Sequence, residues 1–174
     1  MPRQANQYGG GAQTNANGLL FEQTTDLNTA LMSVGYSIVN NKVYYNDIQI
    51  GLSAPKKKIY SEFLYPNNID YKQYNSKGWQ PDEAFINFTN KTVYIIEKKF
   101  QNGAGSVDEK LPGCDFKKKE YEKLFSPLNY SVEYIYVFND WFKQPVYKDV
   151  LEYIEYTGCK YFFNEIPLQW IGLN

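Results

Sequence analysis

Histidine is absent from the 174-residue chain. That absence removes Ser-His-Asp and Cys-His catalysis, His-ligated zinc, and nucleases whose general base is histidine. Chemistry falls instead to carboxylates, lysines, tyrosines and hard metal ions bound through oxygen. Arginine occurs once, at Arg3, and every other basic residue is lysine. Bidentate contacts to phosphate or guanine are therefore scarce. Cysteine occurs twice, at Cys114 and Cys159. Two isolated cysteines make neither a disulfide framework nor a zinc cluster, and they read as packing residues. Long apolar runs are missing too, and the first residues lack the charged-then-apolar order of a signal peptide. The expectation is a soluble, cytoplasmic protein with no membrane partner.

What is present suits one domain with a sizeable core: 43% hydrophobic and 21% charged residues. Net charge is −1, so the chain is not globally basic. A nucleic-acid binder of this composition must concentrate its lysines on one face. Lysines do cluster, at Lys56-Lys57-Lys58, Lys98-Lys99 and Lys117-Lys118-Lys119, although a solvated face explains any single run.

Residues Met1–Asn17 are rich in Gly, Asn and Gln without apolar periodicity and read as a flexible arm before a single domain over 18–174. Leu20, Leu27, Leu31 and Val34 recur at helical spacing, with Gly35 as a stop and Glu22 and Asp26 on another face. Tyr36–Val39 and Lys42–Tyr45 read as strands around an Asn40-Asn41 turn, and Ile59–Tyr65 as a third strand before Pro66. The polar stretch Asn67–Gln80 reads as a loop. Ala84–Phe88 and Thr92–Ile96 form a hairpin. Ser106–Glu109 resembles a capping box, interrupted by Pro112-Gly113, and Asp115 is placed to cap a helix over Phe116–Phe125. A strand over Tyr134–Phe138, a helix over Val146–Tyr156 and a strand over Lys160–Phe163 complete the chain. The fold class is α/β (α+β), a central mixed sheet flanked by helices.

The stretch Trp79–Gln101 carries the chemistry. Pro81-Asp82 opens one apolar strand and Glu97-Lys98-Lys99 closes the next. A charged strand end meeting solvent accounts for either motif alone. Together they set Asp82 and Glu97 side by side at one end of an antiparallel pair. Lys99, two residues beyond Glu97, projects from the same face. Two carboxylates suit Mg²⁺, and a lysine beside them can position an attacking water or stabilise charge on a phosphate.

These motifs resemble the PD-(D/E)xK nuclease superfamily, and within it type II restriction endonucleases. The resemblance implies that Asp82 and Glu97 bind Mg²⁺, with Mn²⁺ able to substitute, and that Lys99 is catalytic. It implies that Lys98 gives only its backbone carbonyl to the metal. Gly18-Leu19-Leu20-Phe21-Glu22 resembles the G-x-x-F-E start of the first family helix, whose Glu helps hold metal. Glu22 is thus a candidate third ligand or an exposed helix charge, with Glu62 its rival. Gln101 and Gly105–Lys110 resemble the segment that follows ExK, and the likeness extends from Gly18 to Phe138.

The activity implied is Mg²⁺-dependent, site-specific hydrolysis of double-stranded DNA by a homodimer within a restriction-modification pair, encoded with a DNA methyltransferase. A structure-selective nuclease such as a junction resolvase, or a non-catalytic DNA-binding module, stands as the alternative. Base reading would rest on lysine, amide and aromatic contacts from Asn40–Lys58, Asn67–Gln80 and Asn139–Tyr147, with Arg3 available to a minor groove.

Overall fold

The computed structural model describes residues 18, 21 and 24–173. Its frame is a seven-stranded mixed sheet whose spatial order follows the chain: β1 (Ser37–Val39), β2 (Lys42–Tyr45), β3 (Ile48–Ser53), β4 (Glu83–Asn87), β5 (Thr92–Lys99), β6 (Ser131–Phe138) and β7 (Lys160–Phe163). Strands β1 to β5 run antiparallel to their neighbours, and β5, β6 and β7 run parallel. Each parallel step needs a crossover. Helix α1 (Leu27–Ser33) precedes β1. Helix α2 (Cys114–Phe125) makes the first crossover and α3 (Lys148–Tyr156) the second. The architecture is therefore mixed α/β, a sheet flanked by helices.

Hydrophobic alternation along β4 and β5 divides the core between two faces. Ala84, Ile86, Val93 and Ile95 pack with Tyr121, Leu124 and Phe125 of α2 and with Ile154 of α3. Phe85, Tyr94 and Ile96 pack on the other face with Leu27 and Leu31 of α1 and with Ile166, Ile171 and Leu173 near the C-terminus. Strands buried on both faces read as continuous apolar runs. Here β4 is buried from end to end.

Several expectations are met closely. Asn40-Asn41 is a two-residue turn with both φ angles positive, at 50° and 65°. The 84–88 and 92–96 runs pair as a hairpin, although β5 continues to Lys99. Gly35 follows α1 with φ 96°.

Others are corrected. Ile59–Tyr65 is no strand: Ile59–Leu64 is a π-helical turn that buries Ile59, Tyr60, Phe63 and Leu64. That spacing is helical rather than alternating, so the period decides against a strand. Strand β3 adds to the expected elements, because Gln49 and Gly51 break its apolar pattern. The signal for it is Asn46-Asp47, a second turn with φ 48° and 63°. Asp26 does not share a helix face. It caps α1, accepting from the Thr29 N–H at 2.8 Å. Asp115 does not cap α2; it lies in the first turn and pairs with Lys119 at 3.2 Å. The expected capping box at Ser106 is replaced by a 3₁₀ segment, Asp108–Gly113, with no side-chain cap.

Among the described residues, no helix is long and apolar enough to cross a membrane. The arm Met1–Asn17, with Arg3, and the candidate ligand Glu22 lie outside the described residues.

Candidate active site

The β4–β5 register pairs Glu83 with Ile96 and Ala84 with Ile95. Continued by one residue, it sets Asp82 beside Glu97. The Lys98 backbone N–H donates to Asp82 Oδ2 at 2.8 Å, which fixes this end of the hairpin. On the other side of β5, the parallel register places Tyr136 of β6 next to Glu97. Alternation then puts Asp82, Glu97, Lys99, Tyr134 and Tyr136 on the face covered by α2.

Glu97 is only 6% exposed, an unusual position for a carboxylate. Burial pushes its pKa up to about 7, and the adjoining Asp82 carboxylate adds to the rise. Lys99 and Lys117 oppose the rise, and Lys99 Nζ lies 3.7 Å from Glu97 Oε2. Asp82 behaves differently. Burial also raises its carboxyl, but the Lys56 ammonium and the Lys98 amide outweigh that effect and hold it below its ordinary value. Lys56 Nζ lies 2.6 Å from Asp82 Oδ1. Two adjacent carboxyls thus have opposite shifts, a pattern typical of sites where charge is put to use. From α2, Lys117 and Tyr121 stand one helical turn apart toward Glu97, whose charge raises the Tyr121 pKa further above the level set by burial.

The fit to a divalent cation rests on this donor set. Two hard carboxylates converge, one of them buried and hard to ionise beside the other. A cation between them would neutralise both charges. Mg²⁺ needs only one or two protein carboxylates with waters completing its shell. Among the described residues no group of three or more acidic, cysteine or histidine side chains could hold a metal ion. Asp82 and Glu97 are the two carboxyls brought together here, with the Lys98 carbonyl nearby in sequence.

The remaining candidates separate. Glu62 is exposed and lines a cavity with Lys42, Gln49, Lys91 and Tyr130, toward the Asn87–Thr92 end of the hairpin and away from Asp82. Lys98 turns its side chain to the opposite face, where Nζ lies 3.2 Å from Glu83 Oε2. Gln101 is held through its backbone: Asn139 donates to its carbonyl at 2.7 Å and accepts from its N–H at 3.1 Å. Asn67 and Asn75, in the segments proposed to read bases, likewise donate their amides to backbone carbonyls of Phe63 and Glu120.

Sequence reasoning passes over Lys56, Lys117 and Glu83 as individuals. Lys56 and Lys117 stand inside lysine runs that look like solvated faces, and only the fold shows which member of each run acts on the two carboxyls. Glu83 is hidden by its neighbour Asp82. Trp79, three residues before Asp82, carries Lys77 Nζ 4.1 Å and Lys117 Nζ 5.4 Å from its ring centroid.

Comparison with family models, with characterised proteins and with solved structures returns no match.

Proposed function

We propose that the chain is a Mg²⁺-dependent DNA endonuclease of the type II restriction kind, with the restriction-endonuclease-like core implied by its motifs. The observation that carries this reading is the meeting of Asp82 and Glu97 at one end of β4 and β5, with Lys99 on the same face. The mixed topology adds support, since an antiparallel hairpin bears the acids and a helical crossover roofs them. So does the charge distribution. In a chain of net charge −1, Lys56, Lys99 and Lys117 all act on the two carboxyls. A polyanion arriving there meets local positive charge.

In this mechanism Asp82 and Glu97 would hold Mg²⁺, and the Lys98 carbonyl would add to the same site. When bound there, the ion would supply charge neutralisation at the phosphate and a water of lowered pKa. Lys99 would orient an attacking water, or stabilise charge on the phosphate as the new P–O bond forms and the P–O bond to the departing DNA oxygen breaks. Tyr134 and Tyr136, packed behind Glu97, keep bulk water from its inner side. One chain offers one such site, and cutting both strands takes two, so a homodimer is part of the reading.

The test is incubation with a mixed-sequence plasmid, with and without Mg²⁺, followed by mapping of the ends. Discrete fragments sharing one end sequence support a restriction enzyme. Cleavage confined to branched DNA moves the reading to a structure-selective nuclease. Binding without cleavage in Mg²⁺ and in Mn²⁺ reduces it to a DNA-binding module.

A further inference from the structure

We infer that Lys56 is a resident counter-cation of Asp82, which a divalent ion must displace, so that metal and DNA bind cooperatively. This inference rests on the nuclease reading above. Lys56 Nζ sits 2.6 Å from Asp82 Oδ1, while the other oxygen of the same carboxylate accepts the Lys98 amide. The Lys56 N–H donates to the Pro81 carbonyl at 2.9 Å. Backbone and side chain together therefore clasp the Pro81-Asp82 pair, although Lys56 lies 26 residues earlier in the chain than Asp82.

The backbone makes this lysine more informative. Its φ is 53°, in the left-handed region that favours Gly or Asn. That conformation does not favour lysine, and the side chain carried there reaches Asp82. The lysine side chain is 58% exposed and that of Asp82 30% exposed, so the pair is open to exchange.

Exposed ion pairs are weak, so competition for Asp82 lowers metal affinity by about two- to fivefold. A DNA phosphate beside the site offers the ammonium another anion. DNA then removes the competitor and raises metal affinity, and by linkage metal raises DNA affinity by the same factor.

The experiment is calorimetric titration of Mn²⁺ into the full chain, alone and with a duplex whose phosphodiesters are replaced by bridging methylenephosphonates, which resist hydrolysis and keep the negative charge. Wild type is compared with Lys56→Asn, which tolerates the left-handed backbone, and Lys56→Arg, which keeps the charge. Thermal unfolding checks that each variant is folded. The expected result is Mn²⁺ binding about two- to fivefold tighter in Lys56→Asn without DNA, with a smaller gain on adding DNA. Lys56→Arg should match wild type on both counts. Mn²⁺ affinity that is unchanged or weaker in Lys56→Asn overturns the inference and leaves the nuclease reading standing. No Mn²⁺ binding by the wild type, with or without DNA, overturns both.

Discussion

Lys98 and Glu83 meet at 3.2 Å on the face of the sheet opposite Glu97 and Asp82, each side chain 12% exposed. Glu83 also accepts the Leu27 N–H with both carboxylate oxygens, at 2.9 and 3.1 Å, so it anchors the first turn of α1. The same two strand steps thus carry a candidate catalytic pair on one face and a structural ion pair on the other. Lys98 serves both: its amide fixes Asp82 and its ammonium answers Glu83.

The Lys98 side chain is therefore not dispensable, as a purely backbone role for it would imply. Lys98→Ala leaves Glu83 buried without its cation and should lower stability by about 3 kcal/mol at pH 8. Burial already pushes the Glu83 pKa up from 4.5 to about 7, with Lys98 opposing the rise. Without Lys98 the carboxyl protonates more readily, so the loss should shrink as pH falls toward ~5. Adding Glu83→Gln to Lys98→Ala should recover much of the stability at pH 8. Denaturant titrations of the single and double variants at both pH values check this, and equal losses at the two would contradict the burial argument.

Glu97 makes a second prediction with its sign fixed by linkage. Its folded pKa is raised to about 7 against an ordinary 4.5. The folded state then binds the proton more tightly than the unfolded state. Below pH 4.5 the group costs nothing, and stability falls as pH rises from 4.5 through about 7. Glu97→Gln should therefore stabilise the metal-free protein by on the order of 2–3 kcal/mol at pH 8 and little at pH 5. The same variant should have no Mg²⁺-dependent cleavage. Thermal melts in chelator at the two pH values, beside a plasmid assay, separate the effects. A variant less stable than wild type at pH 8 would show that the carboxylate is held by attraction rather than penalised by burial.

Much of this site is legible in the sequence because strand alternation carries geometry. Asp82 before one apolar run and Glu97 after the next must meet if the runs pair, and β4 and β5 do pair in that register. What escapes such reading is long-range. Lys56 reaches Asp82 through a turn after β3, a strand that Gln49 and Gly51 obscure. Lys117 reaches Glu97 from a crossover helix whose docking no local pattern specifies. The π-helical turn at Ile59–Leu64 resembles a strand because aromatic and β-branched residues suit strands, while its burial follows helical spacing. Local propensity loses where tertiary packing chooses the period.

Gly51 offers a test of the sheet that carries the site. It pairs with Val43 across a register shift in β2 and with Asn87 on β4. A Cβ there would collide with the Ile86 carbonyl oxygen and press on the Phe85 ring. Neither can yield without moving β4. Gly51→Ala should cost about 1–3 kcal/mol, the range for overpacked interiors. Urea unfolding monitors it, and a neutral result would mean that β3 can shift away from β4 at little cost.

The sharpest test of the chemistry compares Asp82→Asn with Lys99→Ala. The carboxamide introduced by Asp82→Asn can still accept the Lys98 amide through its oxygen, so the hairpin end keeps its shape while losing the charge proposed to hold a cation. Cleavage should fall to background. DNA affinity in chelator should hold or rise slightly, because a negative charge leaves a surface proposed to meet phosphate. Lys99→Ala keeps both carboxylates and loses the cation 3.7 Å from Glu97. Its turnover should drop by about 10²–10⁴-fold, the range for a positioned proton-transfer group, with metal affinity retained. Lys77→Ala is the control: its ammonium lies over Trp79, so the substitution should weaken DNA binding modestly and leave single-turnover cleavage at saturating DNA unchanged. Single-turnover rates, gel shifts in chelator and Mn²⁺ titrations on the three variants give the comparison. Equal rate losses in Lys99→Ala and Lys77→Ala would reduce Lys99 to one member of a general phosphate-attracting surface.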